Sequence, residues 1–265
     1  MAVSRINEAG LNINQYGNRN FIINGDMKIF QRATAATAVA NNYTTADRWK
    51  AWNDSSYGGA MTTEKSTDVP SGQGFSNSLK FQCSTASTST AAAEYAQFEQ
   101  VIEAQNCQAF AYGTSGAKTL TLSFWCKSNK TGVYTVALRK NDNTSYIIPI
   151  EYTISSADTW EKKTITVSPT AGSTTFITNS AGAIDNDNGS GFEIFWNLLL
   201  GSNYTGGTSG TWSSNASHYS TTNAVNWLDN TANNFYITGV QLEVGDTATD
   251  FEHRTFADEL QRCQR

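Results

Sequence analysis

An aromatic ring can cover the apolar face of a pyranose, and neighbouring Asn, Asp, Gln or Arg groups can bind its hydroxyls. Segment 201–233 offers that mixture. Tyr204, Trp212, His218, Tyr219 and Trp227 stand in it among Asn203, Asn215, Asn223 and Asn226. Trp52 and Tyr57, beside Asn53 and Asp54, form a second and sparser glycan-binding candidate. The same aromatics could instead pin a long loop to the body or pack a subunit interface, and both readings stay open at this level.

Other chemistry is thinly represented. Asp185-Asn186-Asp187-Asn188-Gly189 alternates short oxygen donors before a glycine, as a loop for a hard cation does. It lacks the twelve-residue ligand spacing, and Asp, Asn and Gly are also ordinary turn residues. Asp185 and Asp187 are thus weak metal candidates, and a turn is the expectation. Cys83, Cys107, Cys126 and Cys263 show no CxxC pairing, and His218 and His253 are the only imidazoles, so neither a zinc site nor any cofactor is expected. Glu94, Glu99 and Glu103 lie four or five residues apart in a strand-like run, with no serine elbow, P-loop or HExxH motif elsewhere. The sequence therefore predicts a non-enzyme.

The elements that must hold these residues are strands. Aromatics make up 12% of the 265 residues and charged residues only 15%, and the polar remainder is mostly Thr, Ser, Asn and Gly, a strand-and-turn composition. Alternating segments predict strands at Trp49–Asn53, Ala60–Glu64, Ser78–Gln82, Tyr95–Ile102, Thr119–Ser128, Gly132–Arg139, Tyr146–Ile154, Glu161–Val167, Gly191–Leu200 and Asn234–Gly245. An earlier strand signal is read over Asn20–Met27, followed by Ile29–Arg32, with Asn24-Gly25 as turn chemistry, Ala33–Asn42 as a loop and Trp49 as a core residue. Phe256–Leu260 is the one helical candidate. Within Leu122–Lys127, Leu122, Phe124 and Cys126 share one face and Trp125 takes the other. Strict alternation over Phe235–Leu242 puts Phe235, Ile237, Gly239 and Gln241 together, opposite Tyr236, Thr238, Val240 and Leu242. Stretches 168–190 and 201–233 read as long surface loops, which are usually functional or ordered by a partner.

This pattern predicts an all-β chain, a two-sheet β-sandwich of jelly-roll type over residues 20–265 behind an extended N-terminal arm at 1–19. A net charge of -5 argues against a nucleic-acid partner. No apolar run is long enough to cross a bilayer, so membrane insertion is not expected, and the first residues lack an apolar signal core.

Read in order, several segments resemble a family of phage and prophage tail-fibre or virion surface proteins whose domain is like a carbohydrate-binding jelly roll. They are Asn20–Met27 with Gln31-Arg32, Thr45–Trp49, Phe75–Leu79, Tyr95–Glu103, Gly116–Lys118, Leu122–Ser128, Lys130–Gly132, Asp158–Ile165, Phe235–Gly245 and Phe251–Arg254. The resemblance implies a virion structural protein of the tail or particle surface, made in the host cytoplasm. It further implies a homo-oligomer, a trimer by analogy, joined to other virion proteins through the arm and meeting host surface glycan with its loops. Its alternatives are an architectural adaptor or capsid decoration without a ligand, and a glycan depolymerase.

Overall fold

β-Branched and aromatic residues at alternate positions pair into strands because each strand can bury one face of its pleat. The computed structural model of the chain describes residues 18–36 and 41–264. Its strands are β1 Ala35–Ala36, β2 Trp49–Asn53, β3 Ala60–Ser66, β4 Ser78–Thr85, β5 Tyr95–Glu103, β6 Leu120–Ser128, β7 Gly132–Lys140, β8 Tyr146–Ile154, β9 Glu161–Val167, β10 Ser190–Leu200 and β11 Asn234–Val244. Among the described residues one α-helix, α1, spans Phe256–Cys263. Thr255 caps it by accepting the Asp258 amide, which satisfies one of the free N–H groups of its first turn.

The strands form two antiparallel sheets. The order is β1-β3-β4-β11-β6-β9 in the first and β2-β5-β10-β7-β8 in the second. The chain passes repeatedly between them, and the protein is a two-sheet β-sandwich of jelly-roll type. Its centre is aromatic: Phe98 stacks on Trp196 at 5.4 Å with their planes 2° apart, and on Phe81 at 4.3 Å. Trp49 and Phe124 close on the same tryptophan. Truncating one of these buried rings would cost about 3–5 kcal/mol.

All ten later strands form where alternation predicts them, with ends shifted by at most three residues. Three local expectations are corrected. Asn20–Met27 and Ile29–Arg32 are not strands; they form an irregular segment packed on β11 and β5. Asn24, at φ 57°, accepts the amides of Lys28 and Ile29 with its side-chain oxygen and donates to the carbonyls of Ile29 and Asp47. Those local side-chain bonds replace a ladder. Gly25 packs so closely on β11 that a Cβ would lie 2.2 Å from the Val240 carbonyl oxygen. Second, Ala35–Ala36 pairs with β3 inside the stretch expected to be loop. Third, the alternation of β11 breaks at Gly239. The register with β6 shifts between Thr238 and Gln241, and Gly239 sits at φ 61°, so Val240 and Leu242 join Phe235 and Ile237 in the core. In β6, Leu122, Phe124 and Cys126 are buried and Trp125 is half-buried.

Most of the expected arm, residues 1–17, lies outside the described residues. Asn18 and Arg19 belong to the body: the Asn18 amide donates to the Glu252 carboxylate, and Arg19 donates to Thr249 Oγ1 at 2.8 Å. Arg254 ties the segment before α1 to residues 20–22, donating to the carbonyls of Asn20 and Ile22 and pairing with Glu252 and Glu259.

Candidate functional site

The outer face of the five-stranded sheet carries large side chains that the core does not use. In β2, Trp49, Ala51 and Asn53 point inward, which turns Lys50 and Trp52 outward. On β5, the Phe98 and Ile102 side chains fill the core, so Tyr95 and Gln97 face out with Trp52. Arg139 from β7 and Phe195 from β10 complete the floor. Segment 201–233 folds back over this face. Ser213 exchanges backbone hydrogen bonds with Ile147 at 2.8 and 3.0 Å, and Asn197 Nδ2 donates to the Tyr219 carbonyl at 2.8 Å. Ser220 and Thr135 hydroxyls meet at 2.8 Å.

The result is a cleft of about 190 Å³, lined by Trp52, Tyr95, Gln97, Arg139, Phe195, Leu200, Tyr204 and Tyr219. Five rings enclose it edge to face. Trp52 meets Tyr95 at 6.4 Å, Tyr95 meets Tyr204 at 6.2 Å, Tyr204 meets Tyr219 at 6.2 Å and Tyr219 meets Phe195 at 5.0 Å. Such contacts fix ring orientations without solvent ordering them. Lys50 Nζ lies 3.5 Å from the centre of the Trp52 ring and so covers one of its faces. Gln97 is 8% exposed, and its buried Oε1 has no hydrogen-bond partner among the described residues. A buried, unpartnered amide oxygen is costly unless something completes it.

Charge beneath the cleft is balanced. Arg139 grips the Glu193 carboxylate through Nε at 2.6 Å, and also donates to the Tyr219 hydroxyl. Burial pushes the Glu99 carboxyl up to about 7; Glu193 adds to this, while Trp52, Lys50 and Arg139 oppose it. The Trp52 indole nitrogen approaches Glu99 without ordinary hydrogen-bond geometry. Burial also raises the Tyr204 hydroxyl, with Tyr95, Tyr57 and Asp54 adding.

The structure therefore gathers Trp52, Tyr204 and Tyr219 from the two sequence sets, while Tyr57 is exposed and not among the residues that line the cleft. It removes Trp212 and Trp227 as sugar platforms. They are 1% and 0% exposed, and each indole donates inward, to the Ser168 carbonyl at 2.9 Å and the Asn234 carbonyl at 3.1 Å. These rings nail the loop to the sandwich. His218 lies outside the cleft, with Nδ1 at 2.9 Å from Ser213 Oγ and Nε2 at 2.9 Å from Asn215 Nδ2. Tyr95, Gln97, Arg139, Phe195 and Leu200 were not singled out from the sequence. A signal existed in Phe192–Leu200, whose near-continuous apolar run fits a strand covered on both faces.

Asp185 and Asp187 occupy a turn. Asp187 Oδ1 accepts the Gly189 amide at 2.8 Å, and the Asp185 amide donates to Asp142. The cation in this neighbourhood is the ammonium of Lys140, buried against the carbonyls of Asp142, Thr144 and Ala181. Among the described residues, no group of three or more His, Cys, Asp or Glu side chains could hold a metal ion.

No protein-family profile matches the chain, and no curated protein sequence does. Among solved structures, it is similar to the enzymatically active domain of bacteriophage CBA120 tailspike protein 4, with 14% identity and a TM-score of 0.41 over 86% of this chain. The chain spans 22% of that tailspike structure. A putative sugar-binding protein from Bacteroides thetaiotaomicron is matched at 14% identity and a TM-score of 0.48, over 85% of this chain and 100% of the other. A carbohydrate-binding module solved with β-1,4-galactotriose is matched at 12% identity and a TM-score of 0.38, over 86% and 99%. These are likenesses of fold.

Proposed function

We propose that this chain is a non-enzymatic glycan-binding component of a bacteriophage particle, and that its site is the cleft between the five-stranded sheet and segment 201–233. One observation carries the binding reading: five aromatic rings surround a buried glutamine whose amide oxygen lacks a partner. Rings suit the apolar face of a pyranose and the amide suits its hydroxyls, so one ligand class satisfies both. The placement on a virion is supported by the ordered resemblance of residues 20–265 to tail-fibre and virion surface proteins. The same support extends to a trimer held to its neighbours through the residues that precede Asn18.

The test is an array of bacterial surface oligosaccharides probed with the purified chain. Binding to a defined set, weakened more than about tenfold by Trp52→Ala at unchanged melting temperature, is expected. Undiminished binding by Trp52→Ala would move the site elsewhere. Turnover of a bound polysaccharide, abolished by Glu99→Gln, would overturn the non-enzymatic assignment.

A further inference from the structure

The outer row of β5 runs past the aromatic cleft. Side chains alternate along a strand, so Tyr95 and Gln97, which line the cleft, share a face with Glu99, Val101 and Glu103. A second cavity, of about 290 Å³, opens over the Val101 and Glu103 end, walled by Arg32, Tyr43, Arg48 and Cys263. At roughly 3.3 Å per residue, Val101 lies about 13 Å along the strand from Gln97. The two openings are neighbours, because Tyr95 and Gln97 line one and Val101 and Glu103 line the other along the same row of β5.

The charges around this cavity are arranged unequally. Asp47 is 1% exposed, and its carboxylate already accepts Gln31 Nε2 at 2.5 Å and Arg32 Nη1 at 3.1 Å. The Arg32 side chain is 56% exposed. Its Nε and Nη2 have no partner among the described residues, and its guanidinium carbon stands 5.8 Å from the centre of the Tyr43 ring. Arg48, held at φ 71°, donates Nη2 to Glu103 Oε1 at 3.1 Å, while Glu103 Oε2 accepts Asn106 Nδ2 at 3.0 Å. The two acids are thus matched from within, and the guanidinium of Arg32 is the group that reaches out. A planar fork of N–H donors fits a carboxylate with two parallel hydrogen bonds, and an adjacent tyrosine ring gives a sugar an apolar wall.

The geometry points to this cavity as a second subsite on the same face, taking the carboxylate-bearing unit of an acidic oligosaccharide whose neutral unit lies against Trp52, Tyr204 and Tyr219. The inference rests on the glycan-binding reading above and adds to it a ligand class, a polymer carrying uronate-type units. Glu103 disfavours a free anion, so selectivity comes from the fork of Arg32 together with the Tyr43 ring.

The test uses the isotope-labelled full chain, titrated with methyl β-D-glucuronide or methyl β-D-glucoside and followed by amide and side-chain N–H chemical shifts. Both sugars are expected to move the Trp52 indole and Gln97 amide signals. Only the glucuronide should move Arg32 Nε–H and the amides of Val101 to Glu103, saturably, and more weakly as salt rises. Arg32→Gln, at an exposed side chain, should weaken that response about tenfold and leave the Trp52 response intact. The inference is overturned if the Arg32 signals stay still, if acetate at equal concentration reproduces their movement, or if Arg32→Gln changes nothing. In each of those cases, continued movement at Trp52 and Gln97 leaves the glycan-binding reading standing. Silence of both sets with both sugars removes both.

Discussion

At the scale of single residues, Gln97 and Glu99 show a site held at some expense to the fold. An unpartnered buried amide oxygen costs on the order of 1–3 kcal/mol, and a binding site is a common reason to keep one. Gln97→Leu should therefore unfold at equal or higher temperature while losing most glycan binding; a calorimetric scan and the oligosaccharide array read the two sides. Glu99 makes a pH-dependent claim. Its folded pKa of about 7 lies above its ordinary value of 4.5, so the folded state holds a proton that the unfolded state has released. Stability is full below about 4.5 and falls as pH rises towards and through about 7. At ~1.4 kcal/mol per tenfold, the loss approaches roughly 3 kcal/mol. Glu99→Gln should raise the melting temperature at pH 8 and leave it nearly unchanged at pH 4, as thermal unfolding at the two pH values would show. An equal shift at both would contradict a buried, neutral Glu99.

At the scale of elements, the bulge in β11 decides which side chains enter the core. Gly239 occupies a left-handed conformation, and a Cβ there would lie 2.5 Å from Phe75 Cζ. Gly239→Ala should destabilise by about 1–3 kcal/mol through backbone strain and the displaced ring. Denaturant titration measures it, and a neutral result would show that β11 can re-register. The loop over residues 201–233 behaves as a covering layer rather than a free surface segment. Its indoles at 212 and 227 are buried struts, while Tyr204 and Tyr219 wall the cleft. Covering a sheet face in this way explains how Phe195 on one face of β10 and Trp196 on the other can both be buried.

At the scale of the whole molecule, Arg254 and Glu259 bind the backbone of Asn20, Ile22 and Asn24, so the early and late segments of the described sandwich hold each other directly. Deleting residues 1–17 should leave melting temperature and glycan binding per chain unchanged. Under the virion reading it should also abolish incorporation into particles, assayed by complementing a phage that lacks the gene. Loss of folding would mean that the segment is part of the core. If the particle holds several copies, weak single-site contacts add through effective concentration. Binding to glycan-coated surfaces should then exceed binding in solution.

The sequence by itself determined the ten later strands and the class of fold, because alternation at a period of two is a local property that survives almost any arrangement of neighbours. The grouping of Leu122, Phe124 and Cys126 on one face and Trp125 on the other was legible for that reason, but which face turns inward was decided by the second sheet. The β11 pattern was misread at Gly239 because a bulge depends on the partner strand's register, which alternation does not encode. The Asn20–Met27 segment was misread because Asn24 satisfies the backbone through its own side chain. Only the tertiary structure separated Tyr204 and Tyr219 from Trp212 and Trp227, all aromatic and all in one polar loop. The bonds that fold this loop onto the sheet, from Ser213 to Ile147 and from Tyr219 to Asn197, join positions far apart in the chain. Which ring faces the cleft and which faces the core is set by that closure. The cleft residues Tyr95, Gln97, Arg139 and Phe195 become neighbours only when β2, β5, β10 and β7 lie side by side.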